Sequence, residues 1–365
     1  MVKSSRPSAR NARHASPTAT RTFSLRPPLR VRILSALPES TAPSAAGISV
    51  SACTGPIESS FAIRLLNAIS LDCAVLAGNA ADLNVGVDLL SSEQLRREYL
   101  DLSFAPHHVG IVQRDALIVN PRELLRAELT AALGNGAVLI RDVVSGVERS
   151  RHGVLVTARS GETFYAGTVV VAAGAATNVS SLLSRPLDLR TYGATVVLVE
   201  VSDPAELDIP AMMYLKASGD HVAFGGIVMP PLRYPDGRWY LKCSGRSLLD
   251  NPLDSASSIA RWVRSGGRQE DIRESLDLLT ELLPGKALGP AHTRPCMVCE
   301  TPTGLPYIDR VDGHTVVAVE GERGAMAADE IGRLAAELAL EGAWTDGIPH
   351  AASRPDGRKP SLRLH

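Results

Sequence analysis

Five cysteines, Cys53, Cys73, Cys243, Cys296 and Cys299, are few for 365 residues. An odd, sparse set excludes a disulfide framework and reads as reduced thiols in a cytoplasmic protein. Cys296 and Cys299 are the only close pair. The chain lacks a second Cys-x-x-Cys or any His-x-His to join them, so a structural zinc site has no four ligands to use and no metal is expected. Pro295 and Pro302 bracket the pair, which argues against the helix start that a thioredoxin-like redox pair requires. What remains for the two cysteines is packing on a strand, or a role that composition does not reveal. No apolar run reaches the roughly 18–20 residues of a membrane span. The net charge of -1 supplies no basic field for nucleic acid or an anionic membrane. Acidic residues are missing altogether from positions 1–38, which carry eight Lys or Arg among Ser, Thr and Pro. That segment has no periodic apolar face and is expected to remain unpacked. Its composition suits an organelle transit peptide or a misread frame, and both stay open.

From about Ala74 the pattern alternates between helix and strand, after a possible short helix over 60–72. The spacing predicts a helix over 120–136, capped by Asn120, with Pro121 in its first turn, Glu123 at the capping-box position and one apolar stripe of Leu125, Leu129, Ala132 and Leu133. A strand at 137–141 and a hairpin around 150–153 follow. The continuous apolar run 168–173, ending at Gly174, has the composition of a central parallel strand. Residues 191–201, 212–216 and 238–245 read as strands of an antiparallel region, with a turn at Pro235-Asp236-Gly237. A helix is expected over 269–282, a strand over 314–321, and a last helix burying Ile331, Leu334, Ala335 and Leu338 until Gly342 stops it.

Three stretches fall in a meaningful order: "VNPRELLRAEL", "VVVAAGAATN" and "CMVCETPTGLPYIDRVDGHTVVAVEGERGAMAADEIGRLAAELALEG", with "RYPDGRWYLKCSG" between the last two. Together they resemble the FAD-dependent D-amino-acid-oxidase superfamily, in particular its monomeric sarcosine oxidase and N-methyl amino acid oxidase branch. The resemblance implies a mixed α/β fold in which a discontinuous Rossmann-type FAD domain (76–190 and 290–345) interleaves with an antiparallel-sheet substrate domain (191–289). Residues 1–75 and a tail, 346–365, fall outside it. It also implies FAD as cofactor, a small amine or amino acid as substrate, and oxygen as electron acceptor. Lys242 falls where the family keeps a lysine that promotes reaction with oxygen. Arg246 stands at an active-site histidine position. Val144, Ala173, Gly174, Gly321, Arg323, Gly324 and Met326 fall at cofactor-contacting positions. Cys296 falls where sarcosine oxidases tether FAD through a thioether, with Arg294 and Arg323 as cations beside it; a packed, unlinked cysteine is the alternative.

The departures are equally specific. Met326 replaces a lysine that binds the substrate carboxylate and Val298 replaces a tyrosine, so no carboxylate clamp is visible. No Gly-x-Gly-x-x-Gly follows a strand; "GNG" at 134–136 follows a helix and reads as its cap. The resemblance thus leaves three functions open: an amine or amino acid oxidase, a flavin dehydrogenase with a protein acceptor, and a non-catalytic member with weak or absent FAD binding.

Overall fold

The computed structural model describes residues 32–34, 62–67, 78, 80–81, 85–114, 116, 118–179, 182–218, 221–244, 251–321, 324–344 and 354–355. In chain order the elements are β1 (Arg32–Leu34), β2 (Ala62–Asn67), β3 (Asp88–Ser91), α1 (Ser92–Glu98), β4 (His108–Gln113), α2 (Pro121–Gly134), β5 (Val138–Ile140), β6 (Val144–Ser150), β7 (Gly153–Ala158), β8 (Thr163–Ala166) and β9 (Val169–Val171). They continue with β10 (Arg190–Val201), β11 (Ala211–Ser218), β12 (His221–Arg233), β13 (Trp239–Ser244), α3 (Ala256–Ser265), α4 (Glu270–Leu282), β14 (Ala291–Glu300), β15 (Tyr307–Asp312), β16 (Thr315–Val319) and α5 (Gly324–Glu341).

An eight-stranded sheet dominates, in the order β14-β10-β13-β12-β11-β2-β4-β3. It is antiparallel except where β2 runs parallel to β11. One face packs on α4: Val197, Val199, Leu241 and Cys243 meet Leu278, Leu279 and Leu282 in the largest apolar cluster. Burial pushes the Cys243 thiol up to about 12. A second core joins the parallel pair β9–β16 to β15 and α5, through Val316, Ile331, Leu334 and Leu338. The alternate residues Val317 and Val319 join Val171 and Tyr307 in a further cluster, against which Val147 of the three-stranded antiparallel sheet β6-β7-β8 packs. No helix among the described residues is long and apolar enough to cross a membrane.

Several expectations change here. Ala62–Asn67 is a strand rather than part of a helix, hydrogen-bonded between β11 and β4. A short apolar run carries no period that separates helix from strand, so pairing partners far along the chain decide. Arg32–Leu34 also lies in the stretch expected outside the fold, yet it pairs with β5. β9 is not central: it is an edge strand among the described residues, with Val170 42% exposed. β3, β4 and β14 belong to the large sheet although they lie within 76–190 and 290–345. On α2, Asn120 caps the Arg122 amide as expected, but Glu123 pairs with Arg126 at 2.5 Å instead of closing a capping box.

A buried polar chain ties the outer strands to α4. The Ala105 amide donates to His108 Nδ1 (3.1 Å), so the ring proton sits on Nε2 and points at Tyr214 Oη (3.1 Å); Tyr214 in turn donates to Glu281 (2.9 Å). Burial is the first cause that pushes the Tyr214 phenol well above its usual range. Tyr214→Phe should cost about 1–3 kcal/mol in urea unfolding, because it removes two hydrogen bonds from a buried site. A midpoint unchanged from wild type would mean that the chain does not hold β4 to α4.

Candidate functional site

The site is built on the face of the large sheet opposite α4. Residues directly opposed on neighbouring antiparallel strands share a face. On β14, Cys296 lies opposite Ala194, Arg294 opposite Val196 and His292 opposite Leu198. On the other side of β10, Lys242 lies opposite Leu198 and Ser244 opposite Val196. Cys296, Arg294, His292 and Lys242 therefore rise from one face, as does Val298, opposite Tyr192. Cys296 and Lys242 are four residues apart along β10 and two strands apart across it, on the order of 16 Å between Cα atoms.

The strand also decides what the cysteine pair is. Three residues apart on a strand, two side chains leave opposite faces. Cys296 is partly exposed on the site face, while Cys299 is fully buried on the other and donates to Glu320 Oε1 at 3.1 Å. The pair cannot close on one ion, and no group of metal-ligating side chains occurs among the described residues.

Aromatic and charged groups continue the face beyond Lys242. His292 meets Tyr240 edge to face (5.2 Å between ring centroids), and Tyr240 meets Tyr234 at 5.3 Å. Burial, with Arg294 adding to it, pushes the His292 imidazole below its usual range. Tyr240 donates to Asp236 at 2.8 Å, a bond that lowers the Asp236 carboxyl and raises the phenol. Arg122, from the first turn of α2, lies over the Tyr234 ring at 4.2 Å. Sequence reasoning missed Arg122, Tyr234 and His292; the pairing of β13 and β14 on either side of β10 brings the tyrosines to His292, and α2 brings Arg122 onto Tyr234.

The carboxyl ends of the parallel strands β9 and β16 approach β14, where Cys299 meets Glu320. Gly174 (φ 51°) and Gly321 (φ 54°) turn the chain out of these strands, and Gly324 opens α5. A Cβ on Gly174 would stand 3.4 Å from Glu320 Oε2, and one on Gly324 3.3 Å from Glu320 Cγ, so glycine leaves room for that carboxylate. Of the other sequence-derived positions, Ala173 and Val144 pack against the cluster of Val171, Tyr307, Val317 and Val319. Met326 is 76% exposed in the first turn of α5. Arg246 and Arg323 lie outside the described residues.

On the opposite face of the sheet, Asn251, Arg261, Trp262, Arg268 and Gln269 line a cavity of about 460 Å³. Trp262 Nε1 donates to the Cys296 carbonyl at 2.8 Å.

A family model described as FAD dependent oxidoreductase (DAO) matches residues 64–338. No curated protein matches the chain. Among solved structures it is similar to NikD, an unusual amino acid oxidase essential for nikkomycin biosynthesis, with a TM-score of 0.63, 19% identity, and 84% of this chain and 78% of that one covered. It is also similar to L-proline dehydrogenase from P. horikoshii (TM-score 0.65, 18% identity, 82% and 76% covered). A third is glycine oxidase from Geobacillus kaustophilus (TM-score 0.60, 18% identity, 80% and 74% covered).

Proposed function

Since the chain belongs to the DAO family of FAD-dependent oxidoreductases, we propose that it oxidises the C–N bond of a small amine, N-methyl or D-amino acid to an imine, with oxygen as electron acceptor. The observation that carries this reading is the shared face of Lys242 and Cys296. FAD, when bound, accepts a hydride equivalent from the carbon beside the amine nitrogen.

The residues present fit the ring end of that cofactor. Three cations, Lys242, Arg294 and Arg122, border one partly exposed surface, suited to a group that gains negative charge on reduction. The carboxyl ends of the parallel strands β9 and β16, the kind of position where such sheets bind ligands, lie toward β14. Cys296 would hold the ring through its sulfur. Gly174, Gly321 and Gly324 would border the cofactor at these strand ends, and Val144 and Ala173 would support them from the core. Met326, Arg246 and Arg323 complete the proposed set.

Lys242 supplies a fixed positive charge where oxygen takes up electrons. His292, whose imidazole burial and then Arg294 push below its usual range, lies on the same face as Lys242. We keep 76–190 with 290–345 as the cofactor part and 191–289 as the substrate part, with β3, β4 and β14 crossing that division. The reduced-thiol composition supports a cytoplasmic setting.

One feature favours a second reading, a member without catalysis: the chain has no Gly-x-Gly-x-x-Gly to hold the cofactor's pyrophosphate. Visible absorbance of the purified full chain separates the two. The oxidase reading expects the two flavin bands, retained through gel filtration in the presence of added FAD. A protein that stays colourless with FAD in excess is the second kind.

A further inference from the structure

We propose that the Glu320 carboxylate lowers the reduction potential of the bound flavin by opposing the negative charge that the ring gains; this rests on the oxidase reading above. Glu320 directly follows β16, and Gly174 stands just past the end of β9. The acid therefore sits at the carboxyl end of the parallel pair, where such sheets bind ligands. Its neighbours hold it there. Cys299, fully buried on β14, donates its Sγ proton to Oε1 at 3.1 Å. Oε2 lies 3.4 Å from where a Cβ on Gly174 would stand, and Cγ lies 3.3 Å from the Cβ position of Gly324. Both glycines thus leave room for the carboxylate. The thiol is a neutral donor, and among the described residues no cation pairs with the acid.

The helix end and the acid act in opposite directions. α5 has 18 residues, and its N-terminus, at Gly324, is the positive end of its dipole and favours negative charge. Glu320 stands against that first residue and opposes it. A flavin that takes up two electrons and one proton is left with one negative charge on its ring, and charge near the ring nitrogens tunes that step. Glu320 leaves the neutral oxidised ring nearly unaffected and disfavours the anionic reduced one. The potential is then lower than the helix end, Lys242 and Arg294 alone would set. Glu320 gives up no proton and takes no electron; it acts through its charge alone. Nothing local marks it in the sequence, because the cysteine that holds it lies 21 positions earlier, on a strand of the large sheet.

Equilibration of the FAD-loaded full chain with a reference dye measures the potential directly, without turnover. Glu320→Gln removes the charge and keeps an oxygen to accept from Cys299. It should shift the balance toward reduced flavin on the order of tenfold, about 30 mV upward for a two-electron couple. Glu320→Asp keeps the charge and should stay near the wild-type value. Glu341→Gln, which removes a charge at the far end of α5, roughly 25 Å along the helix, should shift nothing. Circular dichroism checks the fold, and should Glu320→Gln fail to fold, Glu320→Ala must shift the potential the same way. An unmoved or lowered potential in the neutral variants, or an equal shift in Glu341→Gln, overturns the proposal and leaves the oxidase reading standing. A colourless wild type with a yellow Glu320→Gln assigns the acid to excluding the cofactor, and also overturns it. Wild type and variants all colourless with FAD in excess remove the oxidase reading and this proposal with it.

Discussion

Lys242→Met should slow reoxidation of the bound flavin by oxygen about a hundredfold, while its reduction by substrate changes little. Lys242 stands on the site face of β13, opposite Leu198 on one side and Met229 on the other. It has no carboxylate partner among the described residues, so its charge is available to whatever enters the face. A fixed cation beside oxygen stabilises the negative charge that oxygen acquires, and removing one such group from a desolvated site costs about 3 kcal/mol, or roughly a hundredfold in rate. Methionine keeps the length of the side chain and loses the charge. Stopped-flow measurement of the two half-reactions distinguishes the roles. Equal slowing of both would assign Lys242 to general packing, and slowing of reduction alone would move it to substrate binding.

The second large effect is all-or-none. Acid precipitation of the wild-type protein should leave the yellow colour in the pellet, and Cys296→Ser should move all of it to the supernatant. Cys299→Ser should leave it in the pellet. The two cysteines are chemically identical and three residues apart, and the strand alone separates them: Cys296 faces the site, whereas Cys299 is buried against Glu320. Arg294 lies two residues before Cys296 on the same face and is the described cation nearest to it along the strand. A colourless wild-type pellet with a yellow supernatant would show that FAD is bound without the bond and that Cys296 only packs. If neither fraction is yellow, the missing phosphate loop governs and the non-catalytic reading takes over.

Much of the fold was legible where local pattern and tertiary environment agree. The helix over 269–282 and the last helix were readable because their apolar positions recur at helical spacing and do end up in the core, as Leu278, Leu279, Leu282, Leu334 and Leu338 show. The hairpin turn at Pro235-Asp236-Gly237 was readable because its chemistry is local: Gly237 takes φ 84° and the Tyr234 amide closes on Arg238. Ala62–Asn67 was not readable as a strand, since its partners lie about 45 to 150 residues away and no window contains them. β9 misled for a related reason. An apolar run reports a buried environment in general, and says nothing of how many neighbours the sheet supplies.

The candidate site divides along the same line. Lys242 and Cys296 were found through motifs in short segments. Whether they share a face depends on the register of two strands against a third, which is a property of β10 rather than of either motif. The Arg122–Tyr234 stack joins a helix end to a hairpin tip, and no single-segment signal marks it.

The alternation along β14 has a consequence for which lengths of this chain can persist. An insertion of one residue between Arg294 and Cys296 would turn every later side chain of the strand over. Cys299 would leave its place against Glu320 and point at the site, while Cys296 and Val298 would face the apolar core. A point substitution there costs one contact; a single-codon indel reverses the strand's two faces at once. The turn between β12 and β13 carries no such constraint, because an added residue at its exposed tip can loop out and leave both registers in place. Among descendants of this gene, length variation should therefore collect at that tip and be absent between Ala291 and Glu300.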